Sequence, residues 1–288
     1  MSRILAPLAL AAAVALADPS TGPTFPTPEA ATDALAGSLA RRDVEALRAL
    51  LGPDHDRLVP LDDVSEPDRE EFLAEWARGH RVERDGTTAR LVLGDGWTLP
   101  VPLVRRGEGW AFDTLAGVEE VRVRRIGRNE LAAIQALFAI LDAQVEYSGQ
   151  DRDGDGVLEY ARRILSKPGK HDGLYWPTAD GEPPSPAGPL LDTRDLKDGY
   201  HGYRFRILDA QGPAARGGAR SYLSRGKLAN GFALVAWPAR YGETGVMSFL
   251  INHDGVVYQK NLGPATASIA NAMTRFDPDA TWAALPAP

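Results

Sequence analysis

The sequence predicts an α+β protein built as two units behind an export leader. Three observations predict it. Apolar residues at helical spacing open each half of the 288-residue chain, strands with period-two alternation close each half, and an arginine-rich run, "EEVRVRRIGRN" at 119–129, stands between them. The size agrees, since chains approaching this length begin to split into separate cores.

The first residues, "MSRILAPLALAAAVALADPS", have the three parts of a secretory leader. Arg3 supplies the positive charge, 4–16 is an apolar run, and Ala15-Leu16-Ala17 gives the small-x-small cleavage pattern. Cleavage is expected after Ala17, which places the mature chain in the periplasm or outside the cell. The apolar run is too short to span a bilayer, and nothing later approaches the roughly 18 apolar residues a span requires. Loss of Arg3 takes the formal net charge from −7 to −8. Such a surface argues against nucleic-acid binding and against anionic membranes. Cysteine is absent, so disulfides, thiolate metal sites and cysteine nucleophiles are excluded together.

Residues 18–27 read as a Pro/Thr-rich linker with nothing to bury. The N-terminal unit, 28–121, begins with Thr27 as N-cap and Pro28 at the first helical position. Ala31, Ala34, Leu35 and Leu39 then follow at helical spacing. A second helix from Asp43 carries Val44, Leu47, Leu50 and Leu51, and stops at Gly52-Pro53. A third starts at the capping box of Ser65 and Asp68, with Phe72, Leu73 and Trp76 as its buried stripe. The period then changes to two. Ala89, Leu91 and Leu93 alternate with Thr88, Arg90 and Val92, then Trp97, Leu99, Val101 and Leu103 alternate again, and Trp110 and Phe112 close the set. Three helices followed by antiparallel hairpins resembles the cone-shaped fold of the nuclear-transport-factor-2-like (NTF2-like) superfamily. That resemblance implies a fold and no chemistry.

The C-terminal unit, 122–288, is expected to open with a helix over 129–148, its stripe made of Leu131, Ile134, Leu137, Phe138, Leu141 and Val145. An acidic elbow follows, then a shorter helix over 158–165 and a Pro/Gly-broken span over 167–191. Strands are expected at 202–208, 231–238 and 245–252. A turn at His253-Asp254-Gly255 returns the chain into a fourth strand at 256–260, and a tail helix is expected over 263–276.

The long helix ending in "AQVEY", the acidic glycine loop and "GYRFRI…FALVAWP…TGVMSFLINHDGVVY" resemble the soluble half of type IV pilins and pseudopilins, over about 129–260. That resemblance implies a helix laid on a four-stranded antiparallel meander. The apolar half-helix that packs a pilus and the prepilin cleavage site are both missing. The motifs "RIGRNELAAIQ", "DRDGDGVLEYA", "PGKHDGLYWP", "QGPAA" and "FALVAWPARYG" are similar to an uncharacterised bacterial envelope family, domain of unknown function 2950. This likeness spans nearly all of the mature chain and implies export and this architecture.

Two stretches carry candidate chemistry. In "DRDGDGVLEY", Asp151, Asp153, Asp155, Gly156 and Val157 fill positions 1, 3, 5, 6 and 7 of a calcium loop, and Glu159 stands at 9. Position 12 is Arg162, so a complete EF-hand is excluded, and a metal there draws on outside ligands or water. Three carboxylates so close repel unless splayed into solvent or bridged by a cation, and calcium is the cation expected. The alternative is a charged turn in which Asp155 caps the following helix. In "KPGKHDGLYWP", 167–177, Lys170, Tyr175 and Trp176 are candidate partner-binding residues, and His171 beside Asp172 is the candidate acid/base pair. The alternative is a loop pinned to the domain by its two aromatics.

No GxSxG elbow, P-loop or GxGxxG is present. Function is therefore expected to be that of an exported, non-catalytic envelope protein that binds a partner, with calcium in the acidic loop. The rival readings are a periplasmic hydrolase using the 167–177 loop, which places His171 and Asp172 in one concave pocket, and an accessory component of pilus or secretion machinery.

Overall fold

The computed structural model describes residues 22–58, 64–179, 181–188 and 199–286. The expected leader and the start of the linker lie outside them. The chain divides into two compact units, Met1–Val121 and Arg122–Pro288, and each unit is described by itself.

In the first unit, α1 (Pro28–Arg41) is capped by Thr27, whose hydroxyl accepts the Ala30 N–H at 3.1 Å. Then come α2 (Val44–Leu51), a single turn α3 (His55–Leu58) and α4 (Glu66–Arg78). Ser65 caps α4 by accepting the Asp68 N–H at 3.2 Å, as the capping box requires. The sheet contains β1 (His80–Asp85), β2 (Thr88–Leu93), β3 (Trp97–Thr98), β4 (Leu103–Arg106) and β5 (Gly109–Phe112). Its order is β1-β2-β4-β5, with β3 on β2, and every pairing is antiparallel. Ala31, Leu35, Leu47, Leu50 and Leu51 pack on Ala89, Leu103, Trp110 and Phe112 to form its core.

Three expectations change here. β1 is absent from the sequence reading because "HRVERD" is charged and almost wholly exposed, the composition that protects an edge strand. Trp97, expected to point inward, is 50% exposed. The linker reaches the fold at Phe25, which exchanges two 2.7 Å backbone hydrogen bonds with Trp110 and packs against the core.

Helix α5 (Thr114–Ser148) runs for 35 residues, about 50 Å at 1.5 Å per residue. Asp113 starts it by accepting the Ala116 N–H at 3.1 Å, and the Thr114 hydroxyl donates to the Leu51 carbonyl. The run 119–129, expected as a joint, is helical throughout. Its arginines, glutamates and Ile126 are compatible with helix, and only Gly127 opposes it. Of the stripe expected on α5, Leu137 is buried and Ile134, Phe138 and Leu141 pack against the core, but its two ends do not. Ala133, Leu137, Ile140, Ala143 and Tyr147 are buried, whereas Leu131 and Val145 are 63% and 58% exposed. Alanines let a helix approach its neighbours closely, so the smaller side chains take the inner face.

The second unit's main sheet is β6 (Tyr203–Leu208), β11 (Ala233–Pro238), β12 (Met247–Asn252), β13 (Tyr258–Asn261) and β14 (Ala283–Ala284). These strands are neighbours in chain order and antiparallel throughout. Leu234 sits between Ile207 and Ile251 at the centre, and every residue of β11 is buried. Between β6 and β11 lie two small ladders, β7 (Ala210–Gln211) with β8 (Arg220–Ser221) and β9 (Leu223–Ser224) with β10 (Lys227–Leu228). Helix α6 (Thr266–Ala272) is shorter than expected. Arg206 holds its C-terminal end, donating to the Ala270 and Met273 carbonyls at 2.6 and 2.5 Å.

No helix forms over 158–165. Tyr160 instead bridges Leu228 and Leu165 bridges Tyr175. Buried Gln144 accounts for the difference. Its amide donates to the Ala161 carbonyl at 2.9 Å and accepts the Ala161 N–H at 2.8 Å, a pairing that holds the chain extended.

Two substitutions test this description. No atom lies within 4 Å of a Cβ added at Gly127, so Gly127→Ala is expected to raise unfolding stability by about 0.5–1 kcal/mol in denaturant titrations. A loss would mean that the joint needs glycine's freedom. Gln144→Leu leaves the buried Ala161 N–H and C=O unpaired and is expected to cost about 2–4 kcal/mol in the same titration. An unchanged midpoint would contradict the pairing.

Candidate functional site

The acidic elbow begins three residues after α5 ends. Asp151 organises it, its Oδ1 accepting the Gly154 N–H at 2.8 Å and its Oδ2 the Gly156 N–H at 2.7 Å. Both glycines have positive φ, +76° and +84°, which side chains rarely adopt, so the loop closes only with glycine there. The Asp155 Oδ1 accepts the Val157 N–H at 3.0 Å, a local turn contact rather than a helix cap. The three carboxylates offer oxygens within 4.8 Å of one another.

A cation already bridges two of them, Asp153 and Asp155. Lys227 Nζ donates to Asp153 Oδ1 and Oδ2 at 3.0 and 2.8 Å, pairs with Asp155 Oδ2 at 2.6 Å, and lies 3.5 Å from Glu159 Oε1. The β9–β10 hairpin delivers it. Arg225 and Gly226 have φ of +50° and +84°, the left-handed pair of a two-residue type I′ turn, and the register sets Lys227 opposite Ser224. The hairpin is tied to the segment after the elbow by the Tyr160 N–H, which donates to the Leu228 carbonyl at 2.8 Å. Arg162, at the position where a calcium loop has its bidentate acid, turns away, donating to the Gly226 carbonyl at 3.3 Å and lying 3.7 Å from Asp209.

All six carboxylate oxygens of the three aspartates are therefore engaged, four by Lys227 and Asp151's own loop glycines on Asp153 and Asp151, and two by Val157 and Lys227 on Asp155. The Lys227 ammonium uses oxygens of Asp153 and Asp155 that a calcium ion in this loop would also use. The electrostatics follow the contacts. The Gly156 N–H, chiefly, holds Asp151 below the usual carboxylate range, and Lys227 does so for Asp155. The hydrogen bonds that the Lys227 ammonium donates to Asp153 and Asp155 hold it well above the usual lysine range.

The 167–177 loop is irregular yet tightly fixed. Ser166 N–H donates to Tyr175 O, and Tyr175 N–H to Ile164 O, each at 2.8 Å. Leu174 is fully buried, and a Cβ on Gly173 would collide with the backbone of Leu165 and Ser166. The Tyr147 hydroxyl donates to the His171 carbonyl at 2.9 Å. The His171 ring stacks on Trp176 at 4.3 Å, and the Arg152 guanidinium lies over Trp176 at 5.2 Å and over Tyr147 at 4.8 Å. Asp172 turns elsewhere, accepting the Lys167 N–H at 2.9 Å and lying 3.4 Å from Arg163. His171 and Asp172 are thus adjacent in sequence and separately employed. Among the described residues no hydroxyl or carboxylate hydrogen-bonds the His171 ring. Lys170 is exposed, and Tyr175 is half-buried against the core.

Beside Trp176 lies a shallow depression of about 420 Å³, lined by Tyr175, Trp176, Pro177, Thr178, Pro184, Ser185 and Gly188. Ser185 is buried, and its hydroxyl has no hydrogen-bond partner among the described residues.

The fold and these contacts define an α+β protein whose acidic loop is closed by an internal lysine. The chain belongs to the family described as protein of unknown function (DUF2950), whose model matches residues 23–285. No curated protein and no solved structure matches it.

Sequence reasoning missed Lys227, Gln144 and Arg152. The only local signal for Lys227 was "SRGK", which reads as a tight hairpin, and nothing in it points to an acidic loop over 70 residues earlier.

Substitution of Lys227 tests the closure. Asp151 and Asp155 are lowered in the fold, so their contribution is complete above the ordinary value of 3.8 and is lost as pH falls through their folded values. Lys227 is raised, so its contribution is complete below 10.5 and is lost as pH rises through its folded value. Lys227→Met is expected to lower the melting temperature at pH 7 and to shrink the loss on acidification. Excess calcium is expected to raise the melting temperature of this variant and to leave the wild type as it is in EGTA. A calcium-dependent rise in the wild type would mean that metal displaces the ammonium.

Proposed function

We propose that this is an exported, non-catalytic binding protein of the bacterial envelope, and that it takes an extended segment of a partner protein at the depression beside Trp176. The single observation carrying this reading is the buried Ser185 hydroxyl, which has no partner among the described residues. A buried hydroxyl left unpaired costs free energy that a ligand's backbone N–H or C=O would recover. The surroundings suit such a ligand, because an aromatic ring between prolines offers apolar contact at little entropic cost, and exposed Lys170 lies on the same loop. Export is supported by the leader-like pattern of residues 1–17. Among the described residues no helix is long and apolar enough to cross a membrane.

The cation of the acidic loop, in this reading, is Lys227, and calcium enters only as its competitor. A hydrolase reading is not favoured by the geometry, since the imidazole of His171 is stacked and the carboxylate of Asp172 is paired with Arg163. The pilin likeness is kept as the accessory-component alternative, supported by the order of a long helix and an antiparallel meander.

Photo-crosslinking tests the proposal. A benzoylphenylalanine at Thr178 is expected to give one discrete adduct in native envelopes, lost in Trp176→Ala, while the same probe at Glu108 gives none. Identical adducts from both positions, or an adduct indifferent to Trp176, would overturn it.

A further inference from the structure

Helix α5 carries an apolar stripe that its own unit covers only in part. Leu131, Ile134, Phe138, Leu141 and Val145 alternate by three and four residues, the seam spacing of a coiled coil. All five belong to the second unit. Ile134, Phe138 and Leu141 lean on the edge of the core, whereas Leu131 and Val145, one at each end, are the two most exposed large hydrophobic side chains among the described residues. The stripe runs about 21 Å at 1.5 Å per residue. Single exposed apolar residues are ordinary, but a continuous seam of them marks a contact surface. Beside its middle, Ile134 and Phe138 share a hollow of about 110 Å³ with Val256, Val257 and Leu285. The charges on the open flank of the stripe are ordered as well. Arg125 and Arg128 are exposed before its start, and Asp142 and Glu146 are exposed towards its end. Among the described residues no ion pair engages Arg128 or Asp142.

We propose that this stripe is the interface between two copies of the chain, paired antiparallel about a two-fold axis. An apolar seam by itself fits many helices, and here the charges select the partner. In the antiparallel register that sets Leu131 opposite Leu141 and Ile134 opposite Phe138 of the second copy, the flanking Arg128 falls opposite Asp142, and the axis makes each contact twice. Parallel pairing would set Arg128 against Arg128 and Asp142 against Asp142, which repel. The pattern is therefore complementary to its own reverse, the property that a two-fold interface requires. The hollow beside Ile134 and Phe138 then receives a seam side chain of the other copy, as a knob enters a hole. The stripe shares no residue with the depression beside Trp176, and the proposal does not rest on what binds there.

Sedimentation velocity of the full chain over a wide concentration range tests this. A reversible monomer–dimer equilibrium is expected. Leu131→Glu and Val145→Glu are each expected to abolish the dimer, and circular dichroism is expected to show both variants folded, because both side chains are mostly exposed. Arg128→Glu alone and Asp142→Arg alone are each expected to weaken the dimer about tenfold, and the two together to restore it. The chain has no cysteine, so Gln135→Cys, which meets its own counterpart across the axis, is expected to join two chains through a short bismaleimide. Glu146→Cys, about 30 Å from its counterpart in that register, is expected not to. A chain that stays monomeric at every concentration would overturn the proposal and leave the stripe to a different protein. A dimer indifferent to Leu131→Glu and Val145→Glu would place the interface elsewhere. Failure of the double charge exchange to restore association would reject the antiparallel pairing.

Discussion

An ammonium group among carboxylates is the constraint on which the second unit's architecture turns. The elbow must reverse the chain at the end of a 35-residue helix, and it does so with three aspartates in five residues. Such a loop is self-repelling unless a cation bridges it. Lys227 supplies that cation from a hairpin more than 70 residues later, so the long-range contact and the local turn stabilise each other. Partial solvent exposure of the aspartates limits the strength of each pair, but the lysine side chain is only 18% exposed and serves three acids at once. Two backbone devices extend the effect. Gln144 fixes the strand-like segment after the elbow, and the Tyr160–Leu228 hydrogen bond ties that segment to the hairpin that carries Lys227.

The same economy explains why the residues most suggestive of chemistry are structural. His171 contributes a ring to a stack with Trp176 and Arg152, and its carbonyl receives the Tyr147 hydroxyl. Asp172 closes the loop by accepting a backbone N–H. What remains open is different in kind. The depression beside Trp176 has a buried hydroxyl, that of Ser185, without a hydrogen-bond partner among the described residues.

Much of the fold was legible because its elements follow simple periodicities and caps. The Thr27 and Ser65 caps, the alternation through Ala89, Leu91 and Leu93, and the apolar runs of β6, β11 and β12 all appear in the structure as local sequence requires. Most of the failures come from tertiary context overriding a local pattern. The run at 119–129 lacks an apolar stripe and so resembled a joint, yet its residues are helix-compatible and α5 continues through it. "LEYARRIL" has helical spacing, but the buried amide of Gln144 offers Ala161 a better partner than a helical neighbour would. Leu131 and Val145 looked like core because they are large, whereas close packing selected the alanines. At the site, the acidic loop was visible and its cation was not, since sequence spacing carries no information about a lysine delivered by a distant hairpin.

The most direct measurement of the central claim is a pH titration of the lysine side-chain amines by nitrogen-15 NMR on the full chain. The account predicts one ammonium that titrates above all the others, exchanges slowly with water, and disappears in Lys227→Met. Lysine amines that titrate together, with no slowly exchanging resonance, would contradict the closure of the elbow by Lys227.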